Sequence, residues 1–264
     1  MIRHSWLQSM QSWMNGSSRQ QRLAQLPRGS RRRSLVPAQI EVMEPRVVLS
    51  AASVAAKEFG DQANAFLTGG IQSAPSTDAP AEIAKRAVAG QAAALGITAA
   101  DATSFRVTST TTSKSSGLTH VYLRQQLNGI DVDGGDANVS IMKDGRVLSM
   151  GSRLIPNLAA RVTSDRNIGA DQAVLSAAAF VGIAAPHVGA VQQSLGGVSE
   201  GLVFAGGNVS QGSVPTKLVY RLGNDGKLHL SYNLNLQVPG SADWFDMNVD
   251  AASGQDLSQV NWTH

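Results

Sequence analysis

Apolar residues recur at helical spacing in one stretch of this chain and at every second position over much of the rest. Over residues 81–96 the positions Ile83, Ala84, Ala87, Val88 and Leu95 share one stripe, and Gly96 stands where a C-terminal cap belongs, so the spacing predicts an amphipathic helix. A short strand is expected at Phe105, Arg106 and Val107, followed by a flexible Ser/Thr-rich connection over 108–116. From Leu118 the period becomes two. Val121, Leu123 and Leu127 point one way, His120, Tyr122, Arg124 and Gln126 point the other, and Asn128-Gly129 supplies a tight turn. A second strand carries Ala137, Val139 and Ile141, and Asp144-Gly145 turns it into a third at 147–150, giving an antiparallel meander. A second helix is expected over 170–181 with Val174, Ala177, Ala178 and Val181 on its buried side. Strands at 217–222 and 227–238 follow, joined by Asn224-Asp225-Gly226. In the latter, Leu228, Leu230, Tyr232, Leu234, Leu236 and Val238 alternate with polar residues. A last pair, 244–249 and 255–262, turns through 250–254. Helix and sheet, then helix and sheet again, predict an α+β fold of two small modules, each an antiparallel sheet packed with a helix.

Composition supports a folded body but divides the charge. The 264 residues are 42% apolar, enough for a core, and only 5% aromatic, so that core is aliphatic. The formal charge of +3 is uneven. Residues 1–50 hold eight arginines against Glu41 and Glu44, a net of +6, which leaves 14 basic against 17 acidic residues beyond them, a net of −3. Phosphate neutralisation needs cations clustered on a folded face, so no nucleic-acid partner is expected. There is no cysteine, which excludes disulfides and thiolate metal sites, and no apolar run approaches the roughly 20 residues of a membrane span. The expected organisation is a basic leader over 1–52, disordered or cleaved, an N-terminal segment and linker over 53–80, a first module over 81–158 and a second over 159–264.

Several stretches resemble known sequences. Met43-Glu44-Pro45-Arg46-Val47-Val48-Leu49-Ser50-Ala51 is similar to a leader found near the start of bacterial surface and secreted proteins. The run from His120 to Ile130, continued by Ala137-Asn138-Val139 and Asp144-Gly145-Arg146-Val147, resembles the fungalysin/thermolysin propeptide domain. Leu158-Ala159-Ala160-Arg161-Val162 and Ala170-Asp171-Gln172-Ala173-Val174 look like the hinge and helix of fungalysin pro-regions. Asp243-Trp244-Phe245-Asp246-Met247-Asn248-Val249-Asp250 is similar to a PepSY-type module. The resemblance covers about residues 80–262. It implies cystatin-like modules, a secreted or cell-surface protein of bacterial origin, and a secreted zinc metallopeptidase as partner. The sequence departs from that family in carrying Asp131 and Asp133 where a Pro and an aromatic residue are usual, and Gly169 where a helix-capping Ser or Thr is usual.

Catalytic patterns fail one by one. The histidines His4, His120, His187, His229 and His264 are scattered and none is followed by Glu, so the His-Glu-x-x-His zinc helix is missing. His120 and His229 read as solvent-facing strand residues. No Gly-x-Ser-x-Gly elbow occurs, and Gly206-Gly207 reads as a turn between strands. Asp131, Asp133 and Asp136 offer hard oxygen ligands for a weak calcium site, although Asp136 occupies the position where an EF-hand needs Gly. No catalytic residue, cofactor or metal is therefore assigned. In fungalysins a protease domain follows the pro-region, so the resemblance implies that Trp262 and His264 lie near such a partner, with Trp244 as a further anchor. The expected function is a chaperone and inhibitor of a metallopeptidase. A shortened peptidase precursor and a surface interaction module are the alternatives.

Overall fold

The computed structural model describes the backbone of residues 63–68 with the side chain of Leu67, and residues 73–163 and 165–263. The leader, its Met43–Ala51 motif and His264 lie outside the described residues. Among these, strands predominate and helices are few, with twelve strands joined through one sheet.

The first half builds on β1 (Ala63–Thr68), α1 (Pro80–Gly90), β2 (Phe105–Thr112), β3 (Thr119–Leu127), β4 (Ile130–Ile141) and β5 (Val147–Leu154). Pro80 starts α1 with its φ already set, and Ile83, Ala84 and Val88 are buried as their spacing requires. The helix is shorter than the expected 81–96. At Gly90, a poor helix former, the ladder tightens, and the Gln91 N–H is shared between the carbonyls of Ala87 and Val88. The chain still coils to Gly96, where Ile97 N–H donates to Ala92 O (3.0 Å) and Gly96 N–H to Ala93 O (3.2 Å), the bond pair of a Schellman motif.

The expected flexible connection over 108–116 is corrected: β2 runs to Thr112, with Thr110, Thr111 and Thr112 opposite Val121, His120 and Thr119. Threonine is a good strand former on an exposed edge, and hydroxyl content alone hid that. Segment 73–78 is also tied down. Ser76 N–H donates to Asp144 O (3.0 Å) and Val147 N–H to Ser73 Oγ (2.7 Å). A Cβ on Gly145 would come within 1.9 Å of the Ser76 carbonyl oxygen, at φ +82°. Gly145→Ala should therefore cost about 2 kcal/mol. Thermal unfolding of the variant, read by circular dichroism, would check this; an unchanged midpoint would show that the segment moves aside freely.

The second half contains α2 (Leu158–Arg161), β6 (Val162–Thr163), α3 (Ala170–Phe180), β7 (Val191–Gly196), β8 (Gly201–Phe204), β9 (Val214–Leu222), β10 (Leu228–Gln237), β11 (Trp244–Asp250) and β12 (Asp256–Asn261). The β7–β8 hairpin left no mark in the apolar pattern, because every residue of β7 is exposed. The alternation in β10 places Leu228, Leu230, Tyr232, Leu234 and Leu236 in the core. Against them lies α3 with Ala173, Val174, Ala177 and Ala178, small residues that let helix and sheet approach closely.

Two hydrophobic clusters result. The first joins Ile83, Val88 and Leu95 to Val121, Leu123, Val139, Met150 and Leu154. The second joins α3 to β9, β10 and β11, and takes in Val132, Ile155 and Leu158. Strand β4 serves both. Its far half pairs antiparallel with β3 and β5, while Val132 and Asp133 leave that ladder and pair parallel with β9, opposite Tyr220 and Arg221. The break falls at Gly134-Gly135. A Cβ on Gly135 would lie 2.7 Å from Gln125 Oε1 and 3.3 Å from Gln125 Cβ, so the missing side chain makes room for that buried amide.

Candidate functional site

The face of β9–β12 turned away from α3 is polar, yet Ser231, Asn248 and Asp250 on it are buried. Its shape explains this. Strands β4 and β11 are three steps apart in the order β4-β9-β10-β11, about 14 Å in a flat sheet. Asn248 Nδ2 nevertheless donates to Asp133 Oδ2 at 3.0 Å, a reach of about 10 Å at most for two short side chains. The sheet therefore curls with this polar face inside.

The three aspartates considered for calcium line the fold of that curl. They lie in strand β4 rather than in a solvated connection, and each is taken by a guanidinium. Arg106 Nε and Nη2 donate to Asp131 Oδ1 and Oδ2 (2.9 and 2.6 Å), with Lys217 Nζ at 3.6 Å. Arg221 Nη1 donates to Asp133 Oδ2 (2.9 Å). Arg124 Nε and Nη2 donate to Asp136 (2.8 and 3.1 Å). Paired forks of this kind satisfy the carboxylate lone pairs a calcium ion would need. Among the described residues no group of three or more acidic or histidine side chains converges as a metal site.

Charge balance differs along the cleft. Burial pushes the Asp131 carboxyl up, but the Arg106 hydrogen bonds and charge outweigh it and hold the group below its usual range. Among the described residues no guanidinium pairs with Asp246. Burial raises it, and the neighbouring Asp133 charge adds to the rise, against hydrogen bonds from Asn233 Nδ2 (2.8 Å) and Asn235 Nδ2 (2.9 Å).

The two tryptophans singled out in the sequence meet. Trp244 and Trp262 stack edge to face with centroids 5.0 Å apart, 37% and 52% exposed, beside the exposed Val260. The chain end is tied to this spot. Trp262 N–H donates to Trp244 O (2.8 Å), Trp244 N–H to Asn261 Oδ1 (3.3 Å), and Asn261 Nδ2 to Asp243 Oδ1 (2.8 Å). The pair stands at the β12 edge, on the same face as Asp246 and Asn248.

His120 and His229 are less exposed than expected. His229 Nδ1 is 2.8 Å from Asp250 Oδ2 and its Nε2 is 3.1 Å from Asp225 Oδ1, so one imidazole bridges the β9–β10 and β11–β12 turns. His120 Nδ1 meets Ser140 Oγ at 3.0 Å.

Periodicity missed the residues that hold the two halves together. Gln125 is fully buried; Ile155 N–H donates to its Oε1 (2.8 Å), and its Nε2 donates to Ile155 O (3.1 Å). Its position in the core-facing phase of Val121 and Leu123 was the available signal. Asp101, also buried, accepts from Thr98 N–H (3.0 Å), Thr98 Oγ1 (2.7 Å), Asn157 N–H (2.8 Å) and Leu158 N–H (2.9 Å), capping the start of α2.

Comparison with known proteins places part of this architecture. Residues 103–154, which include β2 to β5, match the family model described as the Fungalysin/Thermolysin Propeptide Motif. The extracellular metalloproteinase 10 of Uncinocarpus reesii is 33% identical over 150 residues, 55% of this chain and 23% of that protein. The extracellular metalloproteinase mep of Aspergillus fumigatus is 30% identical over 167 residues, 61% of this chain and 25% of that protein. Both sources are fungi, so the bacterial origin expected from the leader rests on that segment alone. The chain spans about a quarter of the length of these relatives. Among solved structures, the Bacillus megaterium YpeB C-terminal domain aligns over 74% of this chain and 70% of its own, at 10% identity and a TM-score of 0.33, too slight a likeness to support an argument. No helix among the described residues is long and apolar enough to cross a membrane. Residues 103–154 of this chain are similar to a propeptide motif, and its similarity to extracellular metalloproteinases covers only a part of those proteins.

Proposed function

We propose that this chain is the propeptide-type region of a secreted zinc metallopeptidase precursor, a non-catalytic body that assists folding of the peptidase and inhibits it. The match of residues 103–154 to the propeptide motif carries the reading. The names of the relatives, extracellular metalloproteinases, support secretion and a peptidase partner. The two hydrophobic clusters, each with a main helix against sheet, α1 in one and α3 in the other, support a propeptide module followed by a PepSY-like module of cystatin-like layout. Binding to the folded peptidase would stabilise it by mass action.

The contact runs through Trp244 and Trp262, a half-exposed aromatic pair of the kind that anchors interfaces. Asn261 belongs to the terminal strand, so a point substitution tests this better than removal of the chain end. Trp262→Ala should weaken inhibition of the catalytic portion of the Aspergillus fumigatus metalloproteinase at least tenfold, since a central Trp is worth about 2 kcal/mol and about 1.4 kcal/mol is tenfold. Its melting temperature should stay within a few degrees of the parent protein. A parent protein that neither slows casein cleavage nor raises the refolding yield of that enzyme would overturn the function itself. Equal inhibition by a normally folded Trp262→Ala variant would move the contact elsewhere.

A further inference from the structure

The outward face of β2–β5, away from α1, is ordered in rows that cross the strands. Ser109, Tyr122, Asn138 and Gly151 stand opposite one another in one row. Arg106, Arg124, Asp136 and Arg153 form the next. Between the rows lies an open groove of about 560 Å³. The first row runs from the Tyr122 ring, 44% exposed, through Asn138 to Gly151, and the backbone of β1 continues both rows, with Phe66 opposite Gly151 and Asn64 opposite Arg153.

Among the described side chains, the charges in the groove are paired except for one. Arg124 satisfies Asp136 with two hydrogen bonds, and Arg106 turns to Asp131. Arg153 is exposed and makes no ion pair or hydrogen bond to any described residue. A guanidinium is a fork of donors with no acceptor, and its complement is a carboxylate. The side chains of Ser109, Tyr122 and Asn138 likewise make no hydrogen bond to a described residue. They leave hydroxyl and amide groups free along the same row. From β2 to β5, at about 4.8 Å per step, the row is roughly 14 Å long, which about four residues of extended chain would cover.

We propose that this groove receives an extended acidic segment of a protein partner, with one carboxylate seated on Arg153. The inference deepens the peptidase-partner reading and rests on it for the identity of the partner. All the groove residues fall within the segment that matches the propeptide motif, whereas the tryptophan pair lies outside it. Charge complementarity chooses the occupant: among the described side chains, the groove offers one unpaired cation and no unpaired anion.

Two measurements separate the groove from the partner. In the first, isotope-labelled full-length protein is titrated in low salt with the peptide acetyl-Glu-Ala-Glu-Ala-amide and read by NMR. The amides of Ser109, Asn138, Gly151 and Arg153 should shift together. The corresponding Gln-Ala-Gln-Ala peptide should bind at least tenfold more weakly, and R153Q should remove the difference between the two. Equal responses to both peptides, or shifts confined to another face, would overturn the proposal. The second compares R153E with the parent as inhibitor of the Aspergillus fumigatus catalytic portion. A loss of at least tenfold at an unchanged melting temperature is expected, and an unchanged inhibition constant would overturn the groove as a peptidase contact. If the parent protein does not inhibit at all, the peptidase reading fails, and the peptide titration alone decides the groove.

Discussion

Asp101→Ala should lower the stability of the folded body by about 4 kcal/mol. The buried carboxylate accepts two hydrogen bonds from Thr98 and one each from the Asn157 and Leu158 N–H groups, and hydrogen bonds to a charged group contribute about 1.5–3 kcal/mol apiece. Alanine leaves the start of α2 without an acceptor in a place where water has little access. At about 2–4 °C per kcal/mol for a body of this size, the melting temperature should fall by about 12 °C. The effect carries a pH signature. Burial pushes the Asp101 carboxyl up, but the hydrogen bonds from Thr98, Leu158 and Asn157 outweigh it and hold the group below its ordinary range. A depressed carboxyl contributes stability that is full above its unfolded value, near pH 4, and is lost as pH falls through the folded value. The gap between parent and variant should therefore be wide at pH 7 and close under acid. A gap that stays constant down to pH 2.5 would show that the loss comes from packing and not from the charge.

Gln125→Ala should cost about as much, roughly 4 kcal/mol, for a different reason. The amide completes the backbone of Ile155 as a neighbouring strand would, donating to its carbonyl and accepting from its N–H. Removing it leaves a buried donor and a buried acceptor unpaired, at about 1–3 kcal/mol each, and opens a cavity between Gly135 and the core. Gln125→Met refills most of the volume without the hydrogen bonds, so it should recover less than half of the loss. Full recovery by Met in chemical denaturation would show that the cavity, not the backbone of Ile155, set the cost. Both residues act on 155–158, the connection between the two hydrophobic clusters. The two variants should therefore also speed hydrogen exchange at Asn157 and Leu158 before global unfolding.

Elements whose burial is decided by their own alternation were legible along the chain. Strand β10 shows this most plainly: every second residue faces α3, and four leucines and Tyr232 stand at those positions. The Asn128-Gly129 turn, the first helix and the meander were readable because local spacing and turn chemistry act over a few residues. The limits of α1 and β2 were not. The helix tightened at Gly90, and the threonines of β2 became a strand because β3 offered them a ladder.

The candidate sites divide in the same way. Trp244 and Trp262 stood out as large amphipathic residues near the end of the chain, but only the pairing of β11 with β12 brings their rings to 5.0 Å. The aspartates 131, 133 and 136 invited a calcium ion because they set hard oxygen ligands close together in sequence. Arg106, Arg124 and Arg221, up to 88 residues away, reach them across four strands. The groove beside Arg153 has no sequence signature, since its rows are built from one residue of each strand and depend on register. What the sequence by itself determined was the α+β alternation, the buried faces and the absence of a zinc-peptidase motif, all properties of short spacings. Tertiary structure decided which charges cancel and which remain free, because the Coulomb partner of a side chain is set by strand order and curl, and those are fixed only when distant segments pack.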